Sequence, residues 1–321
     1  MKDDDAFPCS RLEWGAHLPF KFPQLGLCPM LTSPIRLQQT GALLGLALLS
    51  LTLTPLSASA QAPAFDATQV ARQILDEANH DDLKSKLADD SLPHAAAVIT
   101  ALTRDLPAND RAEAYRRIPW IWRIAINCTK QNKREQQREL LLLSLPDPGQ
   151  PLRDWQAVVL GGGLINGLSQ LGLTPSEQIE ALLESSGTPK EIRSRWEQTL
   201  KLAAEMADNT EIPSGTRYDA LRILGAADWQ LYGPVLRRYL ESGGDEELQM
   251  GAANATADLT EPAATKTLVR ALPGLTEDNR NLALAILAAR SPQKKFLRDA
   301  VTANEVPRVW LTAEQLKQLN D

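Results

Sequence analysis

From Phe65 onward, apolar residues recur every three to four positions, and no stretch shows the apolar–polar alternation of a half-buried strand. Proline and glycine fall between the periodic segments, as helix punctuation does. The breaks are Leu145-Pro146-Asp147-Pro148-Gly149, Ser242-Gly243-Gly244, Glu261-Pro262, Leu272-Pro273-Gly274 and Ser291-Pro292. Between them the pattern predicts helices over residues 118–129, 134–143, 175–184, 191–208, 231–241, 263–272 and 293–303. Less regular helices are expected over 67–78 and 94–103.

The helical segments also repeat. "RYDALRILGA" (217–226), "LQMGAANATA" (248–257) and "RNLALAILAA" (280–289) follow one another at a period of about 31 to 32 residues, and each precedes a turn and a second helix. "DWQAVVLGGG" (154–163) fits the same frame two periods upstream. Helix pairs at this period are the sequence mark of an α-solenoid, in which each pair leaves an apolar face for the next to cover. The expected fold is therefore all-α, a HEAT-like α-solenoid of about five helix pairs over residues 115–321, with an N-terminal helical cap over 61–114.

The stretch "VVLGGGLINGLS" (158–169) tests this reading, because it also resembles a nucleotide-binding loop at first sight. A dinucleotide fingerprint needs G-x-G-x-x-G between a strand and a helix, but position 166 is Asn166 and no strand is expected. A P-loop lacks its Lys-Ser/Thr, and the serine elbow G-x-S-x-G is missed at Ser169. In the repeat frame Gly161, Gly162 and Gly163 occupy slots held by Leu224, Gly225 and Ala226. Gly163 and Gly167 lie one turn apart on one helix face. Each interior glycine weakens a helix by roughly 0.5–1 kcal/mol, so tertiary packing must offset the run. A close approach by a neighbouring helix is expected, with Gly163→Ala milder than Gly163→Leu.

Upstream of the helical region the pattern changes. "GALLGLALLSLTL" (41–53) is uncharged, follows Arg36 and precedes Ala58-Ser59-Ala60. Those are the parts of a secretory signal, and the run is shorter than the roughly 20 residues of a membrane span. Cleavage near Ala60 and export to the periplasm or cell surface are expected, an uncleaved anchor being the alternative. Asp3, Asp4 and Asp5 have the wrong sign for a signal's first region, so translation is expected to start at Met30. The mature chain then holds about 260 residues and one cysteine, Cys128, with no intrachain disulfide available. Four basic and four acidic residues precede Gln61, so the net charge of -6 is unchanged by cleavage. An acidic chain without a basic run excludes nucleic acid as the expected partner, and no stable membrane span is expected after residue 60.

The phrases "RIPWIWRIA" (117–125), "LPDPGQPLRDWQAVVLGGGLINGLSQLG" (145–172), "GTRYDALRIL" (215–224) and "ELQMGA" (247–252) resemble the HEAT-like region of large secreted bacterial dehydrogenase-like proteins. In those proteins a β-propeller precedes the helices and a c-type cytochrome domain follows. The resemblance implies a helical, partner-binding segment and no more, because this sequence has no Cys-x-x-Cys-His and no room for a propeller before Arg116.

Candidate chemistry is sparse. His80 lies in Asn-His-Asp-Asp at what reads as a solvated helix end, and His94 follows Pro93 at a helix start. Metal sites usually need three or four converging ligands, so no metal is expected. Cys128 sits in an apolar segment and reads as a buried thiol. Asp154 and Asp219 recur early in first helices, where a negative charge suits the helix dipole. Trp120, Trp122 and Trp155 fit either core anchors or an aromatic patch for a partner. No catalytic or cofactor residue is expected. The expected function is an exported, non-catalytic interaction scaffold, or alternatively the docking part of a membrane-associated dehydrogenase assembly that binds a propeller or c-type cytochrome chain. Trp120, Trp122, Trp155, Gly161, Gly162, Gly163 and Gly167 are its candidate contact or anchoring residues.

Overall fold

The computed structural model describes residues 65–107, 110–241 and 244–320; the expected leader, the Met30 start and the Ala60 cleavage site lie outside them. The described residues form α-helices, one π-helical segment and short 3₁₀ turns, with no strand. Fifteen α-helices follow in order. They are α1 (Ala67–Leu75), α2 (Asp81–Asp90), α3 (Ala95–Thr103), α4 (Arg111–Lys130), α5 (Arg134–Ser144) and α6 (Asp154–Gln170). Then come α7 (Pro175–Glu184), α8 (Pro189–Asp208), α9 (Ser214–Leu224), α10 (Trp229–Glu241) and α11 (Glu246–Asp258). The chain ends with α12 (Pro262–Ala271), α13 (Glu277–Ala289), α14 (Ser291–Thr302) and α15 (Ala313–Asn320).

Local chemistry sets most of these boundaries. The side chains of Asp66, Asp110 and Asp245 accept from Gln69 N, Glu113 N and Glu247 N at 3.0 Å each, which caps α1, α4 and α11. Pro175, Pro189 and Pro262 open α7, α8 and α12, where a missing N–H costs nothing. At the end of α6, Gly172 takes φ 74° while Leu173 N reaches Leu168 O at 3.1 Å and Gly172 N reaches Ser169 O at 2.9 Å. That is a Schellman turn, which needs the left-handed backbone that glycine adopts without strain.

Four elements differ from the sequence pattern. α4 starts at Arg111 rather than at Ile118, so Pro119 lies inside it and the helix runs through residues 114 and 115. Pro234 likewise lies inside α10. α2 and α15 were not legible, because α2 buries only Ala88 and the apolar face of α15 is only Leu316 and Leu319.

Helix packing follows chain order. α4 packs on α6, α6 on α9, α9 on α11 and α11 on α13. The partners α10, α12 and α14 also pack on one another in sequence. Two buried apolar clusters result. One joins α1–α5 to Trp155, Val158 and Val159; the other takes Ala157, Leu160, Leu164, Ile165 and Leu168 of α6 with the C-terminal helices. α6 thus serves both, and Val158–Ile165 is buried at every position.

Candidate functional site

The glycine-rich α6 is the centre of the helix array, and its backbone is widened. Val158–Ile165 has π-helical geometry, with Asn166 N directed to Gly161 O, five residues back. Extra width of this kind leaves fewer aligned hydrogen bonds per turn and persists where surroundings enforce it. Here the surroundings are two helices at near-contact distance. A Cβ on Gly163 would stand 2.4 Å from Ala125 Cβ, and one on Gly167 would stand 2.7 Å from Thr129 Cβ, both on α4. The pairs 163/167 and 125/129 are each one turn apart, so two small-residue faces meet in register. On the other side, a Cβ on Gly161 would stand 1.9 Å from the carbonyl oxygen of Asp219 in α9. Gly162 faces the Asp219 carboxyl and the Trp122 ring edge, 2.6 and 2.9 Å from where its Cβ would be.

The four glycines are therefore points of close helix approach, and none of them has the positive φ of a phosphate loop. Even alanine at 163 meets a methyl carbon at well under contact distance, so the smaller of the two substitutions already carries a clash.

The three tryptophans all belong to or pack against the N-terminal cluster, but to different depths. Trp155 is buried in the N-terminal cluster, and its indole Nε1 has no hydrogen-bond partner among the described residues. Trp120 and Trp122 are half-buried and pack against that same cluster. Anchoring describes Trp155; the two on α4 keep an accessible edge.

Polar groups line the rest of the α6 contacts. At its start Asp154 accepts from Tyr115 of α4 at 3.3 Å, and the Tyr115 hydroxyl lies 2.8 Å from Thr216 Oγ1 of α9. Burial pushes that hydroxyl up to about 12. At the other end Arg222, 1% exposed, donates to Asn166 of α6 and to Asp258 of α11, which is also 1% exposed. Asp258 further accepts from Ser169 of α6 and pairs with Arg290 at 2.8 Å. Arg290 also donates to Ser169 Oγ at 3.1 Å and to Ala257 O at 2.8 Å. Two guanidiniums thus share one buried carboxylate, and Arg222 Nη1 has no partner among the described residues. No sequence motif announced this cluster; its members are held together across α6, α9, α11 and the α13–α14 junction.

Asp219 corrects another expectation. α9 begins at Ser214, so Asp219 is in the middle of the helix rather than its first turn, and the helix dipole gives it little. It is 8% exposed, and burial holds its carboxyl well above the ordinary aspartate range, with a further push from the Glu247 charge.

The remaining candidates are structural in place. Cys128 is buried, and burial pushes its thiol up to about 11. His80 occupies the exposed start of α2 without a capping bond, and the His94 ring stacks on Phe65 with centroids 4.0 Å apart. Among the described residues no group of three His, Cys, Asp or Glu converges as metal ligands, and no single helix is long and apolar enough to cross a membrane. Compared with protein-family models, curated proteins and solved structures, the chain matches none.

Proposed function

We propose that the chain is an exported protein-interaction scaffold without catalysis of its own, built from HEAT-like helix pairs. The observation that carries this is the order of packing: α6, α9, α11 and α13 stack in succession, with α10, α12 and α14 stacked behind them. An array of this kind presents a continuous surface along one side, which suits an extended partner. The close backbone contacts at Gly161, Gly163 and Gly167 favour the same role, since they fix the spacing of successive helices. The resemblance of residues 145–172 to the helical segment of dehydrogenase-like proteins favours a second reading, in which the partner is a separate propeller or c-type cytochrome chain.

The test is cross-linking mass spectrometry on the envelope of cells that carry the full chain. A stoichiometric partner whose cross-links concentrate on one row of helices, together with a mature N-terminus at Gln61, is the expected result. A chain retained in the cytoplasm, or one that remains monomeric with no specific cross-link, would overturn the proposal. A cross-linked cytochrome or propeller protein selects the second reading.

A further inference from the structure

Arg222 carries a permanent charge on a side chain only 1% exposed, and one end of it is unmet. Its Nε donates to Asn166 Oδ1 of α6 and its Nη2 to Asp258 Oδ2 of α11, but Nη1 has no partner among the described residues. A buried donor left unpaired is costly, and more so when it belongs to a charged group. The charge is unmet as well. Among the described residues Asp258 is the carboxylate bonded to Arg222, and it also pairs with Arg290 at 2.8 Å, so two cations face one anion. Asp219 stands three residues before Arg222 on α9, yet it makes no hydrogen bond to Nη1 and burial disfavours its charge. A water molecule satisfies a free N–H but leaves the charges unequal.

The polar groups beside that end are rich in donors. Arg222 Nε occupies Asn166 Oδ1, which leaves the Asn166 amide nitrogen for other partners. Asn166 and Asn254 both reach the Tyr218 hydroxyl. Tyr218 lies one turn before Arg222 on α9, and Asn254 one turn before Asp258 on α11. Asn166, Tyr218 and Asn254 are half-buried, whereas Arg222 and Asp258 are buried, so this layer leads from solvent to the guanidinium. We propose that Arg222 Nη1 is the floor of a site for one dissolved monovalent anion, a halide or a small carboxylate, entered between Asn166, Tyr218 and Asn254. The anion accepts from Nη1 and from the donors above it, and it brings the cluster to two positive and two negative charges. α6, α9 and α11 each supply a group, so occupancy ties the three helices together. The site does not depend on the scaffold proposal, because it concerns only this chain's own side chains.

Line broadening of chloride by nuclear magnetic resonance tests it on the full chain at about pH 7, beside thermal melting with chloride as the only added anion. The wild type should broaden the chloride line saturably, and its melting temperature should climb over the same concentration range. Acetate should compete, and whichever of the two binds at lower concentration identifies the anion as carboxylate or halide. Asn254→Asp supplies a carboxylate from the chain itself and should abolish both the saturable broadening and the chloride dependence of melting. Arg290→Gln leaves one cation for one carboxylate and should remove most of the binding. Arg237→Gln deletes the same charge from an exposed position on α10 and should leave both readings unchanged. Broadening that rises linearly with chloride in the wild type would overturn the site and leave Nη1 to water. Equal losses in Arg290→Gln and Arg237→Gln, or wild-type binding in Asn254→Asp, would overturn it too.

Discussion

Replacing Gly163 by alanine adds one methyl group, and the structure says where it goes. Its carbon would stand 2.4 Å from Ala125 Cβ and 3.3 Å from the Ala125 carbonyl carbon. Ordinary carbon–carbon contact is about 3.5–4.0 Å, so α4 and α6 must part by roughly 1 Å. Overpacking of this kind costs about 1–3 kcal/mol. Alanine returns about 0.5–1 kcal/mol through helix propensity, leaving a net loss of up to about 2.5 kcal/mol. The obstacle is a single methyl, so removing it on the other helix should relieve the clash. Ala125→Gly alone loses a buried methyl and weakens α4. Combined with Gly163→Ala, it hands the methyl across the interface, and the nearest remaining neighbours are the Ala125 backbone carbons at 3.3 and 3.4 Å. Urea unfolding of the four proteins gives the coupling, which should favour the double variant by about 1–3 kcal/mol over the sum of the single changes. Additive changes, with no coupling between positions 163 and 125, would refute the close contact between α4 and α6.

Three further outcomes follow from other contacts. Gly161→Ala should cost more than Gly163→Ala in the same urea assay, because its Cβ would meet the Asp219 carbonyl oxygen at 1.9 Å and no side chain can be trimmed to admit it. Arg222→Met should lower stability by about 3 kcal/mol in calorimetry or urea, since Asp258 loses one buried partner. It retains Arg290 and Ser169, which keeps the loss near the low end for broken buried pairs. Glu113 is held down to about 2, chiefly by its hydrogen bond to Arg116 and also by Arg117. Its folded value lies below the ordinary 4.5, so its contribution is present above that range and fades as pH falls toward about 2. Glu113→Gln should flatten that part of the acid-unfolding profile measured by circular dichroism.

Helix positions were largely written in local sequence. Pro175 and Glu184 were read from the pattern at both ends of α7, and α8, α11, α12 and α14 were placed within a few residues. Caps, N-terminal prolines and a periodic apolar stripe act over one or two turns, so they are visible without the fold. The packing role of Gly163 and Gly167 was legible for the same reason: their one-turn spacing is a property of the helix itself. Where the stripe was missing, as in α2 with its sequence DDLKSKLADD, the helix was not legible, because its charged residues satisfy turn and helix alike.

Tertiary structure alone decided the rest. The π-helical widening of Val158–Ile165 arises because α4 and α9 press on α6 from two sides, and the sequence shows glycines but not the neighbours that use them. Arg222, Asp258, Ser169 and Arg290 share no period or motif; Ser169 and Arg290 stand 121 positions apart and meet only when α6 and the α13–α14 junction are brought together. Asp219 is the clearest case. Its place in the repeat suggested a helix-dipole partner, yet three residues of extra helix at the N-terminus of α9 place it mid-helix, and burial holds its carboxyl well above the ordinary aspartate range. A side chain's charge state depends on what surrounds it in space, and local sequence fixes only what stands within a turn or two.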